Sequence, residues 1–210
     1  MGNLIKHFKK ICKHKYEVGK VCFKFGLYKQ GILHDISKFN PKEFLTSVKY
    51  YQGNRSPIEA EKEDKGYSMA WLHHFHNNPH HWCYWIDFDM KQNLTPYKMP
   101  YKYMLESIAD WIGAGKAYNG KKYTFESGFK YYRDNIRINN EVSSKIFHKD
   151  TRMIWDIIMV DLLLNGFNKV CDMVRIGYYK DIYENLYSKN QQFQKDYLRM
   201  YETILMKYFS

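Results

Sequence analysis

Nine histidines occur in this chain of 210 residues, and five of them, His73, His74, His76, His80 and His81, crowd into the stretch WLHHFHNNPHHW. Imidazoles at this density, with carboxylates nearby, suit Zn, Fe, Mn or Ni. Adjacent histidines on a helix point about 100° apart. One member of each pair can therefore face a metal while the other faces a second metal, a substrate oxygen or solvent, and spacing alone leaves open which. Upstream, GILHDISKFNPKE places His34 and Asp35 side by side at the end of a short apolar run, with Lys38 about one turn beyond. Downstream, Asp110 lies among the apolar residues of YKYMLESIADWIGAGKAY. A buried, unpaired carboxylate costs several kcal/mol and normally finds a cation, here a metal or a lysine. Glu106, four residues earlier on the same face, reads either as a group behind the ligands or as a solvent-facing acid. The rival reading of the histidines is a surface cluster used for capping and stacking.

The elements that must position these groups are helical. Apolar residues recur every three or four positions over long segments, which predicts an all-α fold. Residues 3–25 read as a helix whose apolar stripe is Leu4, Phe8, Ile11, Val18, Val21, Cys22 and Phe25, with His14 on or beside it. A second helix over residues 27–38 delivers His34 and Asp35. Asn40-Pro41-Lys42-Glu43 starts a third, in which Asn40 caps, Pro41 takes the first position and Glu43 reaches back. Ser56-Pro57 opens a charged stretch, Tyr67–His76 is helical, and Asn77-Asn78-Pro79 leads into a short helix bearing His80, His81, Trp82 and Trp85. Residues 87–98 read as a loop. Pro100 begins a helix that buries Met104, Leu105, Ile108, Trp111 and Ile112, and Thr124 starts another over 125–134. From Glu141 the pattern is helical to the end, with Ile154, Ile157, Ile158, Leu162 and Leu163 facing the core and a break at Gly166. The expected organisation is a metal-binding helical domain over 1–140, with 141–210 as C-terminal helices packed on it or extending it. Phe193, Tyr197, Met200, Ile204 and Tyr208 make the last segment either a packed helix or a homodimerisation arm.

Charge is uneven. The net charge is +11, and residues 1–30 hold eight lysines against Glu17, a balance of +7, while residues 151–210 hold eight basic and seven acidic residues, a balance of +1. A positive field on the segment leading into His34 attracts phosphate esters, nucleotides or nucleic acid; the plainer reading is a solvated helix face. Cys12, Cys22, Cys83 and Cys171 lack a CxxC and read as reduced thiols of a cytosolic protein. MGNLIKHFKK lacks the apolar core of a secretory signal, and Ile157–Leu164 is too short to span a bilayer. A cytoplasmic location and no membrane partner are expected.

The order His14, His34-Asp35, Asp110 resembles the H…HD…D pattern of the HD-domain superfamily of metal-dependent phosphohydrolases, and HDISK is similar to the HDIGK of HD-GYP-type phosphodiesterases. The chain has no GYP segment, which puts cyclic-dinucleotide cleavage in doubt. GILHDISKF, AWLHHFHNNPHHWCYW and KMPYKYMLESIADW together also look like a branch of HD-related proteins that lacks an assigned function. The resemblance runs from about residue 10 to 135, and it implies an HD-like helical bundle. It implies that His14, His34, Asp35 and Asp110 bind a first divalent transition metal, and that Asp35 bridges to a second held by His74 and by His80 or His81, with His73 a contender. Lys38 would touch a phosphoryl oxygen or the bridging water, its rival role being a cation at a helix C-terminus. Asp35, Lys38, His73 and Glu106 are the catalytic candidates. The reaction implied is hydrolysis of a phosphomonoester or nucleotide by metal-activated water. Tyr101, Tyr118, Tyr131 and Tyr132 could stack on a base or sugar, although such aromatics more often belong to the core. Two rivals stand beside this reading: oxygen activation at a di-iron site on the same fold, and a non-enzymatic basic protein that binds nucleic acid or another anion and carries a structural metal.

Overall fold

His7, Ile11, His14, Val18, Val21 and Cys22 form the buried row of α1 (Asn3–Lys24) in a computed structural model that describes residues 2–138, 146–185 and 191–209. The row follows steps of three and four residues, so His14 lies within it. Its N-terminal end differs from the expected stripe. His7 is buried, whereas Leu4 and Phe8 are exposed, and Phe8 rests edge-on against the ring of Phe39.

This row packs antiparallel on α6 (Tyr101–Asn119). Lys10 reaches the carbonyl of Ala117 at 3.4 Å, and His14 meets Asp110 at 3.1 Å. The two helices close because Gly113 faces Val18, where a Cβ would lie 2.4 Å from Val18 Cγ2.

Between them the chain places α2 (Tyr28–Leu33), α3 (Pro41–Lys49), α4 (Pro57–Lys65) and α5 (Met69–Asn77). The helix expected over 27–38 is broken: α2 ends at Leu33, and a 3-10 turn over Ile36–Phe39 follows. His80 and His81 also stand outside any helix, since the short 3-10 turn covers only Trp82–Trp85. The segment read as a loop carries a two-stranded antiparallel hairpin, β1 (Ile86–Phe88) and β2 (Leu94–Pro96), paired Ile86 to Pro96. Its turn is built by the Asp89 carboxylate, which accepts the backbone N–H groups of Lys91 and Asn93, and by Gln92 at positive φ. Strand periodicity is invisible in three-residue strands, so turn chemistry is the only signal the sequence carries here.

The remainder is helical: α7 (Phe125–Tyr132), opened by reciprocal Thr124–Ser127 capping, then α8 (Lys149–Asn165), α9 (Phe167–Val170), α10 (Met173–Asn185) and α11 (Gln191–Tyr208). Gly166, at φ 76°, ends α8 as expected. The fold is all-α apart from the hairpin. One hydrophobic cluster joins Val18 and Cys22 of α1, Met104 and Ile108 of α6, Ile154 and Trp155 of α8, and Tyr179 and Ile182 of α10. Met200, Ile204 and Tyr208 of α11 pack against it. The side chains of Phe193 and Tyr197, and the expected helix start over 141–145, lie outside the described residues. Among the described residues no helix is long and apolar enough to cross a membrane.

Candidate metal centre

The His34–Asp35 step is where α2 breaks. His34 closes the helix at φ −49° and ψ 128°, and Asp35 then takes the left-handed conformation at φ 54° and ψ 26°. Aspartate is one of the few residues besides glycine that enters this region readily. Lys15, on α1, donates to the carbonyls of Ile32 at 2.6 Å and His34 at 2.7 Å. It thereby satisfies helix-end oxygens that would otherwise lack partners. The kink turns both side chains toward α1 and α6.

The first set of possible ligands is His14, His34, Asp35 and Asp110. His14 Nε2 lies 3.0 Å from Asp35 Oδ2 and 3.1 Å from Asp110 Oδ1, and His34 Nε2 lies 3.3 Å and 3.4 Å from the same two oxygens. For a metal–ligand length near 2.1 Å, neighbouring ligand atoms sit about 3.0 Å apart in octahedral and about 3.4 Å apart in tetrahedral coordination. The spacing is that of a coordination shell.

The second set is Asp35, His74, His80 and His81. His74 Nε2 and His80 Nε2 each stand 3.4 Å from Asp35 Oδ1. The His81 ring lies 4.3 Å from that of His80 and 4.7 Å from that of His74, centroid to centroid. Asp35 thus offers one oxygen to each set. Spacing leaves His80 and His81 as alternatives; the structure brings both to the cluster. His73 and His76 fall outside both sets. His73 Nδ1 meets Glu43 at 3.1 Å, and exposed His76 rests on Phe75.

Behind the imidazoles stand two carboxylates. Glu106 Oε1 lies 3.1 Å from His34 Nδ1 and 3.2 Å from His80 Nδ1, so one oxygen orients a ring from each set. Glu43 Oε1 lies 2.8 Å from His74 Nδ1, and its other oxygen accepts from Ser37 Oγ. Carboxylates on the far nitrogen fix the tautomer and direction of a metal-binding imidazole. Of the two readings of Glu106, the solvent-facing acid is excluded, because the residue is buried. The sequence pattern assigns Glu43 to the helix start, but its side chain turns inward to His73 and His74, while Asn40 caps α3 by accepting from Lys42 N.

The electrostatics favour a cation. Burial alone raises the Asp35 carboxyl, yet the charges of His34, Lys38 and His74 outweigh it and hold the group well below the usual carboxylate range. Burial likewise raises Asp110, and the nearby rings of His14 and His34 bring it far down. Burial pushes His34 down, while Asp35, Asp110 and Glu106 pull it well above its ordinary value. A proton there does the work a metal ion would do. His81, by contrast, is held low by burial and by His80 and His74, and so stays neutral and able to ligate. Lys38 Nζ sits 2.5 Å from Asp35 Oδ2. Burial lowers its pKa, but Asp35 and Asp110 raise it above that of an ordinary lysine.

A satisfied polar core would leave no loose ends, and this cluster leaves four. His34 Nε2, Asp35 Oδ1, His80 Nε2 and His81 Nε2 are buried without a hydrogen-bond partner. All four belong to the two sets, and each is an atom type that binds divalent transition metals. The residues present fit such an ion. Among the described residues, no cysteine joins the groups that could hold a metal; burial pushes the Cys171 thiol up to about 12.

Residues 3–159 match the model of a family of unknown function (DUF5662). The chain belongs to this family. The DUF5662 region contains every residue of both sets and both supporting carboxylates, and it ends within α8. No curated protein and no solved structure matches the chain.

Proposed function

We propose that this DUF5662 protein is an HD-type metal-dependent phosphohydrolase acting on a phosphomonoester or nucleotide. One observation carries the reading: Asp35 offers an oxygen to each of two buried ligand sets whose unpartnered atoms converge. His14, His34, Asp35 and Asp110 would hold one ion, and Asp35, His74, His80 and His81 a second, from among Zn, Fe, Mn and Ni. Such ions supply Lewis-acid activation of water and of a phosphoryl oxygen.

The chain's own residues supply the rest. Glu106 and Glu43 keep ring nitrogens directed at the centre. Lys38, beside Asp35 on the wall of the adjoining cleft, offers an ammonium to a phosphoryl oxygen. His73 shares Glu43 with His74 and belongs to this positioning layer. The basic N-terminal helix favours approach of an anion.

The test is metal analysis of the purified protein combined with a screen of phosphate esters, run beside His34→Ala and Asp35→Ala. Bound transition metal and phosphate release in the wild type, both lost in the variants, are expected. A wild type without metal, or variants that keep full metal and activity, would defeat the proposal. The nitrogen-rich second set also suits iron. Oxygen uptake with no phosphate release would move the assignment to a di-iron oxygenase. Salt-dependent polyanion binding that survives both substitutions would mark a non-enzymatic binding protein.

A further inference from the structure

The cleft beside the metal centre has a second end, and its chemistry is distinct. Helices α1 and α6 run antiparallel away from the His14–Asp110 contact, and the cleft between them extends past Lys10 to His7 on one side and to Tyr118 on the other. His7 lies two turns before His14 on the same buried row, about 10.5 Å along the axis. It is too far along the helix to share an ion with His14.

Two groups at this end lack the partners their chemistry calls for. His7 is only 7% exposed, its Nδ1 is sealed without a partner, and its side chain makes no hydrogen bond to any described residue. Its ring is held in place by Phe44 and Tyr51, with centroids 5.5 Å and 5.3 Å away. The other ring nitrogen, Nε2, is not sealed and has no hydrogen-bond partner among the described residues either, so a ligand in the cleft that His7 lines can reach it. Lys10 is half-buried and lies over the Tyr118 ring at 3.9 Å. It donates to the Ala117 carbonyl at 3.4 Å, and no carboxylate among the described residues pairs with it. An ammonium has three donors, so donors remain for an anion.

The volume limits what fits. The cleft measures 190 Å³, below the roughly 300–1,000 Å³ typical of drug-sized ligand sites. We propose that its ligand is a small phosphomonoester of a few carbons bearing a second anionic group, carboxylate or phosphate, which Lys10 and the ring N–H of His7 bind at the end away from the metal centre. Because Nδ1 is sealed, Nε2 is the nitrogen left to donate to the ligand. The phosphoryl end rests on the hydrolase reading above; the second-anion end does not.

The probes are ethyl phosphate and 2-phosphoglycolate, which have the same two-carbon skeleton and differ in the terminal carboxylate. Binding to the full chain, carrying the metal it retains on purification, is measured by calorimetry. The wild type is expected to bind phosphoglycolate at least tenfold more tightly than ethyl phosphate. His7→Phe, which keeps the aromatic packing, and Lys10→Met are each expected to erase most of that preference while leaving metal content and ethyl phosphate binding unchanged. His7→Gln, whose amide can stand in for Nε2–H, is expected to recover part of it, and it serves also if His7→Phe fails to fold. Equal binding of the two probes by the wild type would overturn the inference. So would a preference that survives both Lys10→Met and the His7 substitutions, or tighter binding of a nucleoside monophosphate than of phosphoglycolate. If phosphoglycolate binds with the expected dependence but no phosphate is released, the subsite stands and the hydrolase reading falls. If esters are hydrolysed at rates indifferent to His7 and Lys10, the hydrolase reading stands and the subsite falls.

Discussion

Two groups of buried acids, one on α8 and one at the candidate metal centre, are treated differently. On α8, Asp156 is fully buried and accepts hydrogen bonds from Tyr132 at 2.8 Å, Arg137 at 3.0 Å and Tyr201 at 2.7 Å. Asp161, one turn and a half further on, is clasped by Arg175, Tyr179 and Asn165. Each finds its cation or its hydroxyls within the chain. Asp35 and Asp110 are surrounded mainly by imidazoles, and unpartnered atoms remain between them. A buried carboxylate therefore says little by itself. Its partners decide whether it locks helices together or waits for an ion.

The contrast can be broken by substitution. The largest effect is expected at Asp35. Asp35→Ala removes an oxygen from both ligand sets, so under the proposed function bound metal should disappear and hydrolysis fall by about a thousandfold or more, given the share of the reaction that proposal assigns to metal-activated water. Metal analysis and turnover measure this. Asp156→Ala should do the opposite. Stranding Arg137 and two tyrosine hydroxyls is expected to cost about 3–5 kcal/mol in urea unfolding, while the metal content of the folded chain stays that of the wild type. If Asp156→Ala empties the metal centre, the two regions are not separable.

A smaller effect sharpens the comparison from within the metal centre. Glu106→Gln keeps the shape but weakens the orientation of His34 and His80, and metal affinity should fall about 10- to 100-fold, as read by competition with a chelator. The smallest expected effect lies outside both regions. His148 caps α8, its Nδ1 accepting from the N–H of Asp150. Burial, with Lys98 and Lys149, holds its pKa below the ordinary 6.5. The unfolded chain therefore takes up the proton first as pH falls. The cap's contribution is fully present above pH 6.5 and is lost as pH drops through 6.5 toward the depressed folded value. His148→Ala should cost about 1 kcal/mol at about pH 8, and the gap to wild type should narrow by about pH 5 in paired thermal melts.

Much of the candidate metal centre is legible in the sequence because its residues are types that have few other reasons to cluster. His14, the His34-Asp35 pair, His74, His80, His81 and Asp110 all arrive at one place. Glu43 escapes because it has a sufficient local explanation: an acid three residues after a capping asparagine is what a helix start looks like. Lys15 and His7 escape for a related reason, as a lysine among lysines and a histidine overshadowed by Leu4 and Phe8. Helical periodicity predicts α6 and α8 well, since each buries a long apolar row. It fails across His34–Asp35, because a left-handed residue breaks a helix without changing the hydrophobic pattern. The one cheap signal is the aspartate itself, a residue that tolerates that conformation.

That kink narrows what position 35 can accept. Glycine and asparagine would keep the turn but remove the charge. Glutamate would keep the charge but sit poorly in a left-handed backbone, and its extra methylene would carry the carboxylate away from nitrogens now spaced at 3.0 Å and 3.3 Å from it. Two unrelated filters, one steric and one electrostatic, overlap on a single amino acid. Saturation mutagenesis at this codon should accordingly return aspartate alone, even where selection tolerates exchange at His81.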